Sequence, residues 1–130
     1  MGKRVLVIED DPSAARLVEY ALEKEGYKVD VAVNGVEGLR KVQEEEPDLI
    51  ILDVMLPGLD GFEVCHRMRA DPGTAHVPIL MLSAKAHATD RFTGLKVGAD
   101  RYLAKPADPA EILACVKSLL TEKGAAARTP

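Results

Sequence analysis

Carboxylates, a hydroxyl and an ammonium stand directly behind short apolar runs in this chain, and from those positions they could do chemistry. Glu9, Asp10 and Asp11 follow Val5-Leu6-Val7-Ile8, Asp53 follows Leu49-Ile50-Ile51-Leu52, Ser83 follows Ile79-Leu80-Met81-Leu82, and Lys105-Pro106 follows Arg101 to Ala104. Each alone has an ordinary reading. An Asp after a strand caps a turn or helix, three acids before a helix are favoured by its dipole, and a lone Ser or Lys is a surface residue. Brought together, the same groups mean more. Crowded carboxylates repel, so they hold protons or demand a counter-ion, and hard oxygen ligands with room for water suit Mg²⁺. With that charge offset and Lys105 alongside, a second anion next to Asp53 becomes favourable, and a phosphoryl group fits the description. Asp53 is then placed as nucleophile, since a carboxylate forms an acyl phosphate when a metal and a cation absorb the charge.

The elements that must position these groups alternate. Strands are expected at Arg4 to Ile8, Lys28 to Ala32, Leu49 to Leu52, Pro78 to Leu82 and Arg101 to Ala104. Near-continuous apolarity in three of them predicts cover on both faces, as in a parallel sheet flanked by helices. Ala14, Leu17, Val18, Ala21 and Leu22 form a helical stripe between the first two strands, opened by Asp11-Pro12 and stopped near Gly26. Further helical patterns run through Val36, Leu39 and Val42 up to Pro47, through Phe62, Cys65 and Met68, over Arg91 to Val97, and from Asp108-Pro109 through Ile112, Val116 and Leu120. Five β-α repeats with right-handed crossovers predict an α/β fold with a doubly wound five-stranded parallel sheet, flavodoxin-like strand order 2-1-3-4-5 and helices on both faces. In that order the functional crevice lies beyond the carboxyl ends of the strands, between strands 1 and 3.

The chain has 130 residues, the size of one domain. Residues 1–122 are expected to form it, with 123–130 a flexible tail or the start of a linker. Aromatic residues are 4% of the chain, so the core must be aliphatic. Net charge is −4 with both signs interspersed, which argues against direct nucleic-acid binding. No apolar run approaches the roughly 20 residues a membrane span needs, and no signal peptide is visible, so a cytoplasmic location is expected. Cys65 and Cys115 lack paired spacing and read as packed thiols, and His66, His76 and His87 as surface residues.

Four motifs resemble the receiver (response regulator) family of two-component systems over Lys3 to Leu120: Val-Leu-Val-Ile-Glu-Asp-Asp, Asp53-Val-Met-Leu-Pro-Gly-Leu-Asp-Gly, Pro-Ile-Leu-Met-Leu-Ser-Ala and Gly98-Ala-Asp-Arg-Tyr-Leu-Ala-Lys-Pro. The resemblance implies that Glu9 and Asp10 are the acidic pair, that Asp53 accepts the phosphoryl group, and that the Met55 carbonyl joins Glu9, Asp10 and Asp53 around Mg²⁺. It also implies that Ser83 and Lys105 attend the phosphoryl oxygens, that Tyr102 switches between outward and inward positions with Ser83, and that Lys105-Pro106 is a cis peptide. Ser83 stands where Thr is commoner and Ala107 where Phe is frequent; neither removes a chemical group.

The function so implied is a phosphoacceptor that takes its phosphoryl group from a sensor histidine kinase or histidine phosphotransfer protein and catalyses only its own phosphorylation and dephosphorylation. Its output, an effector or self-association, would use the fourth helix, fifth strand and fifth helix. Two rivals remain, one using similar groups and one built on the same fold. A Mg²⁺-dependent phosphohydrolase with an Asp nucleophile expects a second Asp two residues on, where this chain has Met55. A flavin carrier needs a phosphate loop after the first strand, where Glu9-Asp10-Asp11 would repel it. A receiver that binds partners without phosphorylation would not need the intact residue set.

Overall fold

The computed structural model describes residues 2–127. Its elements alternate as β1 (Arg4–Ile8), α1 (Pro12–Glu23), β2 (Lys28–Ala32), α2 (Gly35–Glu45), β3 (Leu49–Leu52), α3 (Gly61–Ala70), β4 (Ile79–Ser83), α4 (Ala88–Val97), β5 (Arg101–Ala104) and α5 (Pro109–Ala127). The strands form one parallel sheet in the order β2-β1-β3-β4-β5, as the sequence predicts.

Alternation of side chains across the pleat divides the apolar strands between two cores. Leu6, Ile8, Ile50, Leu52, Ile79 and Met81 meet Val42 of α2 and Val64, Cys65 and Met68 of α3, with Val97 of α4 packed beside them. Val5, Val7, Leu49, Ile51, Leu80 and Leu82 meet Val18 and Leu22 of α1 and Ile112, Val116 and Leu119 of α5. Burying each such aliphatic side chain stabilises the fold by about 1.5–3 kcal/mol, which is why the central strands carry almost no polar residue before their ends.

The helical faces differ from the apolar pattern in two places. In α1 the buried residues are Ala15, Val18 and Leu22, while Leu17 is 64% exposed beside the groove between α1 and α5. Val18 and Leu22 of the expected stripe reach the sheet, while Leu17 at its edge stays exposed and Ala15 is buried in addition. In α2 Gly35, Gly38 and Val42 face inward, and Val36 is 69% exposed. A Cβ at Gly38 would lie 2.5 Å from Ile8 Cδ1, so the glycine lets the helix backbone settle directly onto β1. Hydrophobicity counts give no weight to such a residue.

Caps set the helix starts. Asp11 Oδ1 accepts the Ser13 N–H at 3.0 Å, Asn34 Oδ1 the Glu37 N–H at 2.8 Å and Asp60 Oδ1 the Glu63 N–H at 3.0 Å. α4 begins at Ala88, earlier than the apolar pattern shows, with Asp90 Oδ2 accepting the His87 N–H at 3.1 Å. β4 is shifted by one residue to Ile79–Ser83: Pro78 has no N–H to donate, although its carbonyl accepts the Ile50 N–H at 3.0 Å. α5 continues past residue 122 to Ala127, and residues 128–130 of the expected tail lie outside the described residues. His66, His76 and His87 are exposed. No helix among the described residues is long and apolar enough to cross a membrane.

Cys65 belongs to the core on the α3 side of the sheet, Cys115 packs against the core on the α5 side, and both are free. A disulfide needs its Cα atoms within about 7 Å. Oxidised monomer should therefore yield no Cys65-Cys115 crosslinked peptide in a non-reducing map, and recovery of that peptide would contradict the topology.

Candidate functional site

β1, β3, β4 and β5 end at one rim of the sheet, and the backbone ladder runs one residue past β1, β3 and β5, so that the residue after each of these three is still anchored. The Glu9 N–H donates to Ala32 O at 2.9 Å, the Asp53 N–H to Ile8 O at 3.0 Å and the Lys105 N–H to Ser83 O at 2.9 Å. Those bonds hold the functional residues to the rigid sheet rather than to free loops. Carboxylate oxygens of Glu9, Asp10 and Asp53 lie within 4.8 Å of one another; Glu9 and Asp53 are buried and Asp10 is exposed, so the cluster opens on the Asp10 side. The Lys105 ammonium donates to Glu9 Oε1 and, at 3.3 Å, to Asp53 Oδ2. The Met55 N–H donates to Asp53 Oδ1 at 3.0 Å, and the Asp11 N–H to Glu9 Oε2 at 3.1 Å. Asp53 thus has one oxygen held by a backbone amide and the other by an ammonium.

Gly61 makes that arrangement possible at the start of α3. A Cβ there would lie 2.3 Å from the Asp53 carbonyl oxygen and 2.7 Å from Val54 Cα, and the Gly61 N–H donates to Val54 O at 2.9 Å. The loop after Asp53 is pulled against the helix behind it. On the other side of the rim, the Lys105-Pro106 peptide is cis.

Burial pushes the Glu9 carboxyl above the usual range; the Lys105 hydrogen bond and the Asp11 N–H oppose this, and the Asp53 charge adds to it. Burial would lower Lys105, but its hydrogen bond to Glu9 and the charges of Asp53 and Glu9 outweigh that and raise it. The ammonium therefore stays charged, while among the described residues three carboxylates face a single cation. An all-oxygen donor set with excess negative charge and one exposed member fits a hard divalent cation that keeps part of its water.

The remaining candidate residues form a second layer. Ser83 is fully buried, and its Oγ accepts the Lys85 N–H at 3.1 Å. Tyr102 is buried, its hydroxyl donates to the Lys85 carbonyl, and the Arg91 guanidinium lies 5.7 Å from its ring centroid. Burial and then the nearby Asp90 charge raise the Tyr102 phenol. Asp11, one step beyond the acidic pair, serves as the α1 cap. The sequence picks out Glu9, Asp10, Asp53 and Lys105, which the fold brings together, but not Asp90. The signal for Asp90 is its place three residues into α4, behind His87, in a segment with little apolar pattern.

A family model described as response regulator receiver domain matches residues 5–117. The alkaline phosphatase synthesis transcriptional regulatory protein PhoP of Bacillus subtilis is 47% identical over 127 residues, covering 98% of this chain and 52% of PhoP. This chain spans about half the length of the curated relatives it matches. A response regulator receiver domain protein (CheY-like) from Methanospirillum hungatei superposes with a TM-score of 0.89 at 30% identity, covering 95% of this chain and 98% of that one. The receiver domain of the sensor histidine kinase PA1611 from Pseudomonas aeruginosa, with a magnesium ion coordinated in the active site cleft, superposes with a TM-score of 0.86 at 32% identity, covering 93% of this chain and 99% of that one.

The electrostatics carry a pH-dependent consequence. A carboxyl whose folded pKa is raised incurs no penalty below its unfolded value, 4.5 for Glu9, and an increasing one as pH rises through the folded value. In metal-free protein Glu9→Gln should leave thermal stability unchanged near pH 4 and raise the midpoint at pH 7. Equal destabilisation at both pH values would mean that the Lys105 pairing outweighs burial.

Proposed function

This chain belongs to the response regulator receiver domain family of two-component systems, and on that premise we propose that Asp53 is its phosphoacceptor, charged by the phosphohistidine of a sensor histidine kinase or a histidine phosphotransfer protein. The observation that carries the reading is the Asp53 carboxylate itself, fixed by Met55 N–H and Lys105 Nζ beside Glu9 and Asp10. The carboxylates of Glu9, Asp10 and Asp53 and the carbonyl of Met55 would hold Mg²⁺, which when bound neutralises their repulsion and the charge of the phosphoryl oxygens.

An Asp53 oxygen attacks phosphorus, the P–N bond of the phosphohistidine breaks as the P–O bond forms, and the imidazole leaves. Lys105, kept protonated by its acidic neighbours, pairs with the charge that arrives. The Ser83 hydroxyl has a proton to donate to a phosphoryl oxygen. Ser83 and Tyr102 meet through the backbone of Lys85, so a pull on Ser83 reaches Tyr102 and the surface of α4, β5 and α5. On that surface Phe92 is 66% and Leu95 50% exposed, as an effector or self-association interface requires. Catalysis is confined to the chain's own phosphorylation and dephosphorylation. A net charge of −4 with interspersed signs supports a role without direct nucleic-acid contact for these 130 residues, and dependence on a phosphohistidine donor supports a place in the cytoplasm, where ATP is at hand.

Incubation with acetyl phosphate and Mg²⁺ should add one phosphoryl group by intact mass. EDTA and Asp53→Asn should each abolish the addition, the latter without loss of fold because it is isosteric and removes a charge from a repelling cluster. Labelling that persists in EDTA, or undiminished in the Asn variant, would remove Asp53 from the role.

The lifetime of the product depends on two neighbours. Hydrolysis needs a water aligned with phosphorus, and an acid or amide two residues after Asp53 or Ser83 could orient it. Those places hold Met55, an apolar and 57% exposed side chain, and Lys85, which cannot accept a proton when charged. The phospho-protein should therefore decay slowly alone, and Met55→Asn with Lys85→Glu should decay clearly faster. Equal or slower decay would show that these side chains do not govern the water.

A further inference from the structure

Lys85 sits between β4 and α4 and touches four separate parts of the molecule. Its N–H donates to Ser83 Oγ at 3.1 Å and its carbonyl accepts from the Tyr102 hydroxyl. Its ammonium lies 3.9 Å from Asp90 Oδ1 in α4 and 5.8 Å from the ring centroid of Phe62 in α3. The side chain also borders a cavity of ≈ 400 Å³ shared with Val54, Met55, Asp60 and Phe62, on the side of the rim where Met55 N–H holds Asp53.

We propose that Lys85 is a charge-responsive positioning residue: its ammonium rests on Asp90 when Asp53 carries no phosphoryl group and leaves Asp90 for a phosphoryl oxygen when it does. This rests on the assignment of Asp53 as phosphoacceptor. The contact with Asp90 is long for a hydrogen bond, so attraction between charges holds it. The Lys85 side chain is 51% exposed and that of Asp90 12%, which leaves the lysine free to move and the aspartate fixed. A phosphoryl group brings roughly two negative charges and three strong acceptors, and an ammonium on a flexible four-carbon stem forms a charge-assisted hydrogen bond to such an oxygen. The exchange strips Asp90 of its cation and leaves it the His87 N–H at 3.1 Å. That uncompensated carboxylate stands in the first turn of α4, beside the buried Tyr102 whose phenol it perturbs. The charge at Asp53 is thereby felt at α4 through a side chain, in parallel with the backbone link from Ser83 to Tyr102.

Because coupling between two sites is reciprocal, Asp90 must weaken anion binding at Asp53 by competing for Lys85. The test is an NMR titration of the whole chain with beryllofluoride and Mg²⁺, as wild type, Lys85→Met, Asp90→Asn and the double variant. Met keeps the apolar stem over Phe62, and Asn keeps an oxygen for the His87 N–H. Asp90→Asn should tighten beryllofluoride about threefold, Lys85→Met should weaken it about fivefold, and in the Lys85→Met background Asp90→Asn should have no effect. In wild type the Asp90 carboxyl ¹³C resonance should move on beryllofluoride addition toward its position in Lys85→Met. An equal Asp90→Asn effect in both backgrounds, or an Asp90 resonance that stays in place, overturns the role of Lys85 while leaving Asp53 as acceptor. Failure of the wild type to bind beryllofluoride overturns the Asp53 assignment and this inference together.

Discussion

Repulsion among Glu9, Asp10 and Asp53 is the constraint around which the rim is built. Three carboxylates within 4.8 Å would push apart in a flexible loop, and here two of them are also buried. What holds them is covalent continuity with the sheet: Glu9 and Asp53 are the first residues after β1 and β3, and each is tied by its own N–H to the neighbouring strand. The stability of the parallel sheet is therefore spent partly on keeping like charges together. Lys105 bonds to both Glu9 and Asp53 and so offsets the repulsion, while burial, with a smaller contribution from the Asp53 charge, keeps the Glu9 carboxyl raised even so. A site left in that condition attracts a further cation and, with it, an anion.

The same constraint explains why helices approach the rim so closely. Gly38 lets α2 lie on Ile8 one residue before Glu9, and Gly61 lets α3 press on the Asp53 carbonyl. Movement of either helix away from the sheet would loosen the backbone that positions a carboxylate. Substituting Ala at Gly61 would require the Asp53 carbonyl to shift, so its effect would reach the site through the main chain before any side chain was touched.

The sheet order and the acidic rim are legible in the sequence because both depend on residue types that hydrophobic periodicity and chemistry single out. Continuous apolar strands imply two covered faces, and β-α repetition brings their ends together. The features that stay hidden depend on residues without such a signal. Gly35 and Gly38 share the inner face of α2 with Val42 and count as nothing in an apolar pattern; Leu17 counts as core and lines a groove. The start of α4 is obscure because Ala88, Thr89 and Asp90 show no stripe, and with it goes the carboxylate that meets Lys85. Backbone hydrogen bonds from Met55 and Lys85 are invisible for a further reason: any residue type can make them.

That anonymity of the backbone also bears on how a signal leaves the site. Ser83 Oγ accepts from Lys85 N–H at 3.1 Å, and the Ser83 hydroxyl also acts on the Tyr102 phenol, whose pKa it lowers against the effect of burial. A hydroxyl has one proton and two lone pairs, so Ser83 can give its proton to a phosphoryl oxygen while keeping Lys85, and the peptide of Lys85 then moves with it. Since the carbonyl of that residue carries the Tyr102 hydroxyl, a small rotation of Ser83 changes the tyrosine's hydrogen-bond geometry without breaking a bond. Arg91, over the Tyr102 ring and bonded to its carbonyl at 3.2 Å, resists large movement of the aromatic. The linkage is thus suited to small, stiff displacements, and a larger response at α4 needs a change of charge, which Asp90 and Arg91 are placed to feel.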